Sequence, residues 1–198
     1  MAIIATTQES TLYKPIEPGN YVARCYSMVH IGTIEETING VAKKLNKVRI
    51  GWELPTEMKV FKEEIGEQPI TISKEFTLSM HEKSTLRNFL KNWRGKDFTE
   101  EEAKAFDVEK LLGAPCMLNI THKTKKDGSG VYAEIGSVSS LPKGLVCPPQ
   151  ENETYVWTYE DFDLVKFNKL PEFLRNKMVN SEEYKAQFDV NENVFDKF

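Results

Sequence analysis

Arg24, Tyr26, Lys47 and Arg49 define the chemistry this sequence offers. A guanidinium or ammonium group pairs with phosphate oxygens, and a phenol ring presents a face on which a base can stack. Lys43 and Lys44 stand just ahead of Lys47, and Lys74, Lys123, Lys125 and Tyr132 repeat the same residue types further along. Brought together, such groups hold an extended polyanion that carries unpaired rings. Scattered, they are ordinary solvated side chains that protect sheet edges. Which applies depends on whether they share a face.

Bond-making chemistry finds little purchase. His30, His81 and His122 have no HExxH or HxE spacing, and the chain has no GxxxxGK[ST], GxSxG or GxGxxG signature. Glu100, Glu101 and Glu102 follow Thr99, which reads as a capped helix start with acids at the positive end of its dipole. Gly128-Ser129-Gly130 reads as a turn rather than a phosphate loop. Cys25, Cys116 and Cys147 are odd in number and form no CxxC pair, which argues against a disulfide framework or a zinc ribbon. The expectation is a non-enzymatic protein with no cofactor and no metal site.

The elements that position the cations show in the periodicity. Tyr21 to Ile34 alternates, with Ala23, Cys25, Val29 and Ile31 on one parity and Arg24, Tyr26 and His30 on the other. After the hairpin signal Asn39-Gly40, residues 43–54 alternate again, with Val48, Ile50, Trp52 and Leu54 against Lys47, Arg49, Gly51 and Glu53. Pro55 is expected to end this strand, with a charged linker from Thr56 to Pro69. A third strand covers Ile70 to Met80. Ser84 then caps a helix carrying Leu86, Phe89, Leu90 and Trp93 up to Gly95. Strands return at Pro115–His122 and Val131–Leu141, joined by a basic hairpin from Lys123 to Gly130. One further helix is expected over Leu170 to Ala186.

The order β-β-β-α-β-β predicts a mainly β chain built as a five-stranded OB-fold barrel, here spanning residues 19–145 after a lead of residues 1–18. Residues 146–198 read as a helical, acidic C-terminal extension. Net charge is −4, but residues 1–150 carry 20 basic and 19 acidic side chains, against 6 and 11 in residues 151–198. The barrel is thus near neutral, and its cations are available to one face. MAIIATTQES has no basic segment before its short apolar run, and no run of about 18 apolar residues occurs, so neither a signal peptide nor a membrane span is expected. A reducing cytoplasm is the expected location.

The stretches KVRIGWELP (47–55), residues 72–102, LLGAPCMLNITHK (111–123), SSLPKG (139–144) and LPEFLRNKMVNSEEYK (170–185) resemble bacteriophage single-stranded DNA-binding proteins with an OB-fold. The resemblance covers about residues 19–185. It implies a factor that binds single-stranded DNA with little sequence preference in the host cytoplasm, during phage replication or recombination. The ending with Phe195, Asp196 and Phe198 is similar in kind to the acidic, Phe-ended tails of such proteins, and implies docking to phage or host replication or recombination partners. Its acidity is low, with Lys197 between the last two. The rival expectation is a protein-interaction module on the same barrel, such as a recombination accessory or a host-factor inhibitor. A homo-oligomer is compatible with either.

Overall fold

The computed structural model describes residues 14–195. With 43% strand and 22% helix it is mainly β: a curled half-barrel antiparallel sheet followed by short C-terminal helices. The strands are β1 (Gly19–Ile38), β2 (Val41–Lys62), β3 (Gly66–Thr77), β4 (Pro115–Thr124), β5 (Val131–Ser139) and β6 (Tyr155–Trp157). The helices are α1 (Thr85–Arg94), α2 (Glu100–Lys104), α3 (Leu164–Lys169), α4 (Glu172–Met178) and α5 (Glu182–Phe195). No helix among the described residues is long and apolar enough to cross a membrane.

The sheet order is β3-β2-β1-β4-β5, so β3 and β5 form its two edges. β1 and β2 are long and joined by the Asn39-Gly40 turn, both residues taking positive φ. One edge of β1 is used twice. β4 pairs antiparallel with Gly19–Arg24, and β6 pairs parallel with Ser27–Val29. The C-terminal extension is therefore joined to the sheet by backbone hydrogen bonds.

Two register shifts in β1 break the expected alternation. Cys25 faces Trp52 and Ser27 faces Gly51, leaving Tyr26 as the extra residue. An extra residue in one strand turns the following side chains over. Ala23 and Cys25 before the first shift and Met28 after it enter the barrel core, whereas Val29 and Ile31 turn to the opposite side of the sheet. The second shift, between His30 and Gly32, turns the strand over again, so that Ile34 joins them there in a second core. The expectation that Ala23, Cys25, Val29 and Ile31 share one side is corrected accordingly.

Pro55 does not end β2. The ladder to β3 slips between Leu54 and Met58 and then resumes, so the proline occupies a bulge where no ladder N–H is lost. The stretch expected as a linker is the projecting end of a β2–β3 hairpin.

Between the sheet and α1 lies the barrel core, where Trp52, Phe76, Leu86, Phe89, Leu90 and Trp93 are buried. The Trp52 ring lies 5.6 Å from Phe89 and 5.8 Å from Trp93, and Phe76 lies 4.9 Å from Phe89. The Ser84 hydroxyl caps α1 by accepting from Arg87 N–H, and Gly95 ends it in the left-handed region. Thr99 and Glu102 close a capping box on α2.

The second core packs Trp157, Tyr159, Phe167, Leu170, Leu174 and Met178 onto Val29, Ile31 and Ile34. Each large side chain buried there contributes on the order of 1.5–3 kcal/mol. The helix expected over Leu170 to Ala186 is split. Ser181 is fully buried between α4 and α5, accepts from Tyr184 N–H, and shares a 2.8 Å hydrogen bond with the Tyr159 hydroxyl. Tyr159 also donates to Ile31 O at 2.9 Å, and burial pushes its phenol pKa up to about 12. Gly32, at φ 90°, lies so close to Ser181 and Glu183 that a Cβ there would approach Glu183 Oε2 to 2.6 Å.

Candidate nucleic-acid interface

Cross-strand register builds the outer face of β1, β2 and β3 row by row. Arg24 sits opposite Glu53, which faces Thr71; Ser27 opposite Gly51, which faces Ser73; Val29 opposite Arg49, which faces Glu75; Gly32 opposite Lys47, which faces Thr77. Arg24, Lys47 and Arg49 therefore share one side of the sheet, as their parity predicts. That side is not an open plain: the C-terminal extension crosses it.

The extension is tied down at one end by the row of Arg24 and Glu53. Arg24 donates to Gly113 O at 2.6 Å, to Pro148 O at 2.8 Å and to Cys147 O at 3.2 Å. Glu53 is fully buried and accepts from Glu151 N (2.9 Å), Asn152 N (2.8 Å) and Asn152 Nδ2 (2.7 Å). At the other end Glu183 accepts from Thr33 N at 2.6 Å and Thr33 Oγ1 at 2.8 Å. Burial works to raise the Glu183 carboxyl, and the Thr33 donors outweigh it, leaving it below the usual value.

Between these ties β6 pairs with β1 and Leu174 of α4 packs over Val29, and beside these contacts the extension leaves a cleft of about 590 Å³ against the sheet. Its floor is Gly51 with Ser27, Ser73 and Arg49, and Tyr26, Tyr155 and Lys169 stand in its walls. Gly51 is closely covered by Ser27, whose Oγ occupies the place an added Cβ would need. A cleft of this volume takes a drug-sized or nucleotide-sized group. It combines two phenol rings, two cations and several hydroxyls.

Charge on this face is largely spoken for. Glu75 accepts from Lys177 at 2.7 Å and from Arg49 at 3.3 Å, with Lys47 at 3.9 Å. Lys47 is paired at 2.5 Å with Glu36. The Arg49 guanidinium lies 5.0 Å from the centre of the Phe173 ring. Lys44 pairs with Glu182, which raises its pKa. Lys43 is exposed, and Lys169 makes no ion pair among the described residues. The expectation of a freely exposed cationic face is corrected: intramolecular carboxylates neutralise most of it, and Arg24 serves to hold the chain's own backbone.

The remaining residues singled out lie elsewhere. Lys74 shares parity with Ile72 and Phe76, facing Ile50 across the ladder, and donates to Ile135 O on β5 at 2.7 Å. It bridges the two sheet edges, and burial lowers its pKa. Lys123 pairs with Glu134 at 2.9 Å. Lys125 and Tyr132 line a second, more apolar groove of about 310 Å³ between β3 and β5. Phe195 ends α5, while Asp196 and Phe198 lie outside the described residues.

Sequence reasoning missed Tyr155, Lys169 and Glu53 as parts of this site. The run Tyr155-Val156-Trp157 had a strand-like signal too short to stand alone. Nothing marked Lys169, which ends α3. Among the described residues no group of three or more His, Cys, Asp or Glu side chains is placed to hold a metal ion. A scan against protein-family models finds no match, and a search of curated proteins finds no significant relative.

Proposed function

We propose that the chain is a single-stranded DNA-binding protein of OB type, acting by binding alone and with little sequence preference. The strand order, with β1 central and β3 and β5 as facing edges bridged by Lys74, supports an OB-type barrel left partly open. The observation that carries the functional reading is the cleft over β1, β2 and β3. Tyr26 and Tyr155 offer ring faces to bases, and Arg49 and Lys169 offer cations to the phosphates between them. Ring stacking contributes on the order of 1–3 kcal/mol per base and does not depend on which base is present. Phosphate contacts make the affinity fall with salt. Action in phage replication or recombination, in the host cytoplasm, follows the resemblance carried by residues 47–55 and 72–102.

The test is a titration of poly-pyrimidine single strand and of duplex at two salt concentrations, with the DNA then inspected for cleavage. Salt-sensitive binding of intact single strand alone supports the proposal. Cleaved DNA, or equal binding of duplex, contradicts it.

One observation favours a second reading, a protein-interaction module. Lys47, Arg49 and Lys177 already satisfy Glu36 and Glu75, so phosphates must compete with carboxylates for them. Absence of binding to any nucleic acid at low salt supports this reading over the first.

A further inference from the structure

The β2–β3 hairpin beyond Leu54 exposes an unusual amount of apolar surface. Met58, Val60, Phe61 and Ile65 are 42%, 49%, 47% and 59% exposed. Four exposed apolar side chains within residues 58–65 of one hairpin offer a partner an apolar contact. Elsewhere on the same chain lies a groove between the two sheet edges, walled by Ile70 and Ile72 of β3, Val131 and Tyr132 of β5, and Ile16. Val131 and Tyr132 are 44% and 43% exposed.

The two surfaces also match in charge. The hairpin, residues 55–69, carries Glu57, Glu63, Glu64 and Glu67 against Lys59 and Lys62. The β4–β5 turn at the rim of the groove carries Lys123, Lys125 and Lys126 against Asp127. Lys123 is engaged by Glu134, but Lys125 and Lys126 make no ion pair among the described residues.

The hairpin cannot fill the groove of its own chain. It is laddered by Met58 to Pro69 and by Val60 to Glu67, directly before Ile70. At about 3.3 Å per residue its tip near Ile65 projects some 15 Å from the groove beside Ile70.

We propose that the β2–β3 hairpin of one copy docks into the β3–β5 groove of a second copy of this chain. Phe61 and Ile65 supply the apolar contact, and Glu63 and Glu64 meet Lys125 and Lys126. The contact is head-to-tail, so each copy keeps one free hairpin and one free groove, and the assembly grows as a ring or an open file. It involves neither Tyr26 nor Arg49, and it goes beyond the DNA-binding proposal without depending on it.

The experiment is sedimentation velocity of the full chain, without DNA, over a hundredfold range of concentration. The wild type is expected to sediment faster as concentration rises. Phe61→Ser with Ile65→Ser, both exposed positions, is expected to weaken association at least tenfold with an unchanged far-UV circular dichroism spectrum. Lys125→Glu with Lys126→Glu is expected to weaken it too, and adding Glu63→Lys with Glu64→Lys to that variant to restore it. A wild type that stays monomeric throughout overturns the proposal, as does a Phe61/Ile65 variant that associates like wild type.

Discussion

Arg24 and Glu53 lie directly opposite each other on β1 and β2, and each grips the same returning backbone by a different polarity. Arg24 takes the carbonyls of Cys147 and Pro148, and Glu53 takes the amides of Glu151 and Asn152. Two charged side chains on one row of the sheet thus fix where the extension begins its passage over the candidate site.

This arrangement predicts that Glu53→Gln destabilises the whole protein. The replaced oxygen would present an NH₂ group to backbone N–H donors in a dry site. Losing charged hydrogen bonds there costs about 2–3 kcal/mol. For a chain of this size that lowers Tm by about 5–10 °C. Thermal denaturation followed by circular dichroism measures it, and a Tm within a degree of wild type would show that Glu53 does not hold the extension.

Removing the cleft's cations should weaken DNA binding without unfolding anything. Arg49→Ala with Lys169→Ala is expected to lower the affinity for a pyrimidine oligonucleotide about tenfold or more. It should also flatten the plot of log affinity against log salt by about one for each phosphate no longer engaged. Fluorescence anisotropy at several salt concentrations reads both quantities. An unchanged slope would remove these two residues from the interface.

Acid should loosen the α1–α2 region first. Hydrogen bonds from Lys91, then from the Phe98 N–H and Arg87, hold the Asp97 carboxyl at about 2, below the usual 3.8. Arg94 and the Thr99 N–H hold Glu102 at about 2, below 4.5. Carboxyls whose pKa is lowered by folding contribute stability above their unfolded pKa and lose it as pH falls through the folded value. The stabilising effect is therefore lost between about pH 4.5 and pH 2. Asp97→Asn with Glu102→Gln should flatten the dependence of urea midpoint on pH across that window. A variant with the wild-type pH dependence would contradict the assignment.

The thiols should be inert in the native state. Cys25, Cys116 and Cys147 are all buried, and burial pushes Cys25 up to about 12 and raises Cys116 still further. At pH 8 a disulfide reagent is expected to label none of them within minutes in native protein, and all three in guanidinium. Fast native labelling would show that the barrel opens.

Much of the barrel was legible because period two and period 3.6 are strong signals where one face is buried. Val48, Ile50 and Trp52, and the helix from Leu86 to Trp93, all lie where the pattern puts them. The bulge at Tyr26 was not legible. No residue type announces it, and it sent Val29 and Ile31 to the far side of the sheet. The outward parity of Lys47 and Arg49 is legible in the sequence, but their neutralisation is not. Glu75 lies on a different strand and Lys177 about a hundred residues further on, and such pairings leave no local mark. The same holds for Tyr155 and Lys169, which reach the cleft only because the extension folds back over the sheet.

Photo-crosslinking tests the cleft most directly. A single-stranded oligonucleotide carrying iodinated uracil is bound, irradiated, and the attached peptides are identified by mass spectrometry. Bases stacked in the cleft should attach to Tyr26 or Tyr155. Attachment confined to Tyr132 and the β3–β5 groove, or to surfaces away from both tyrosines, would contradict the account.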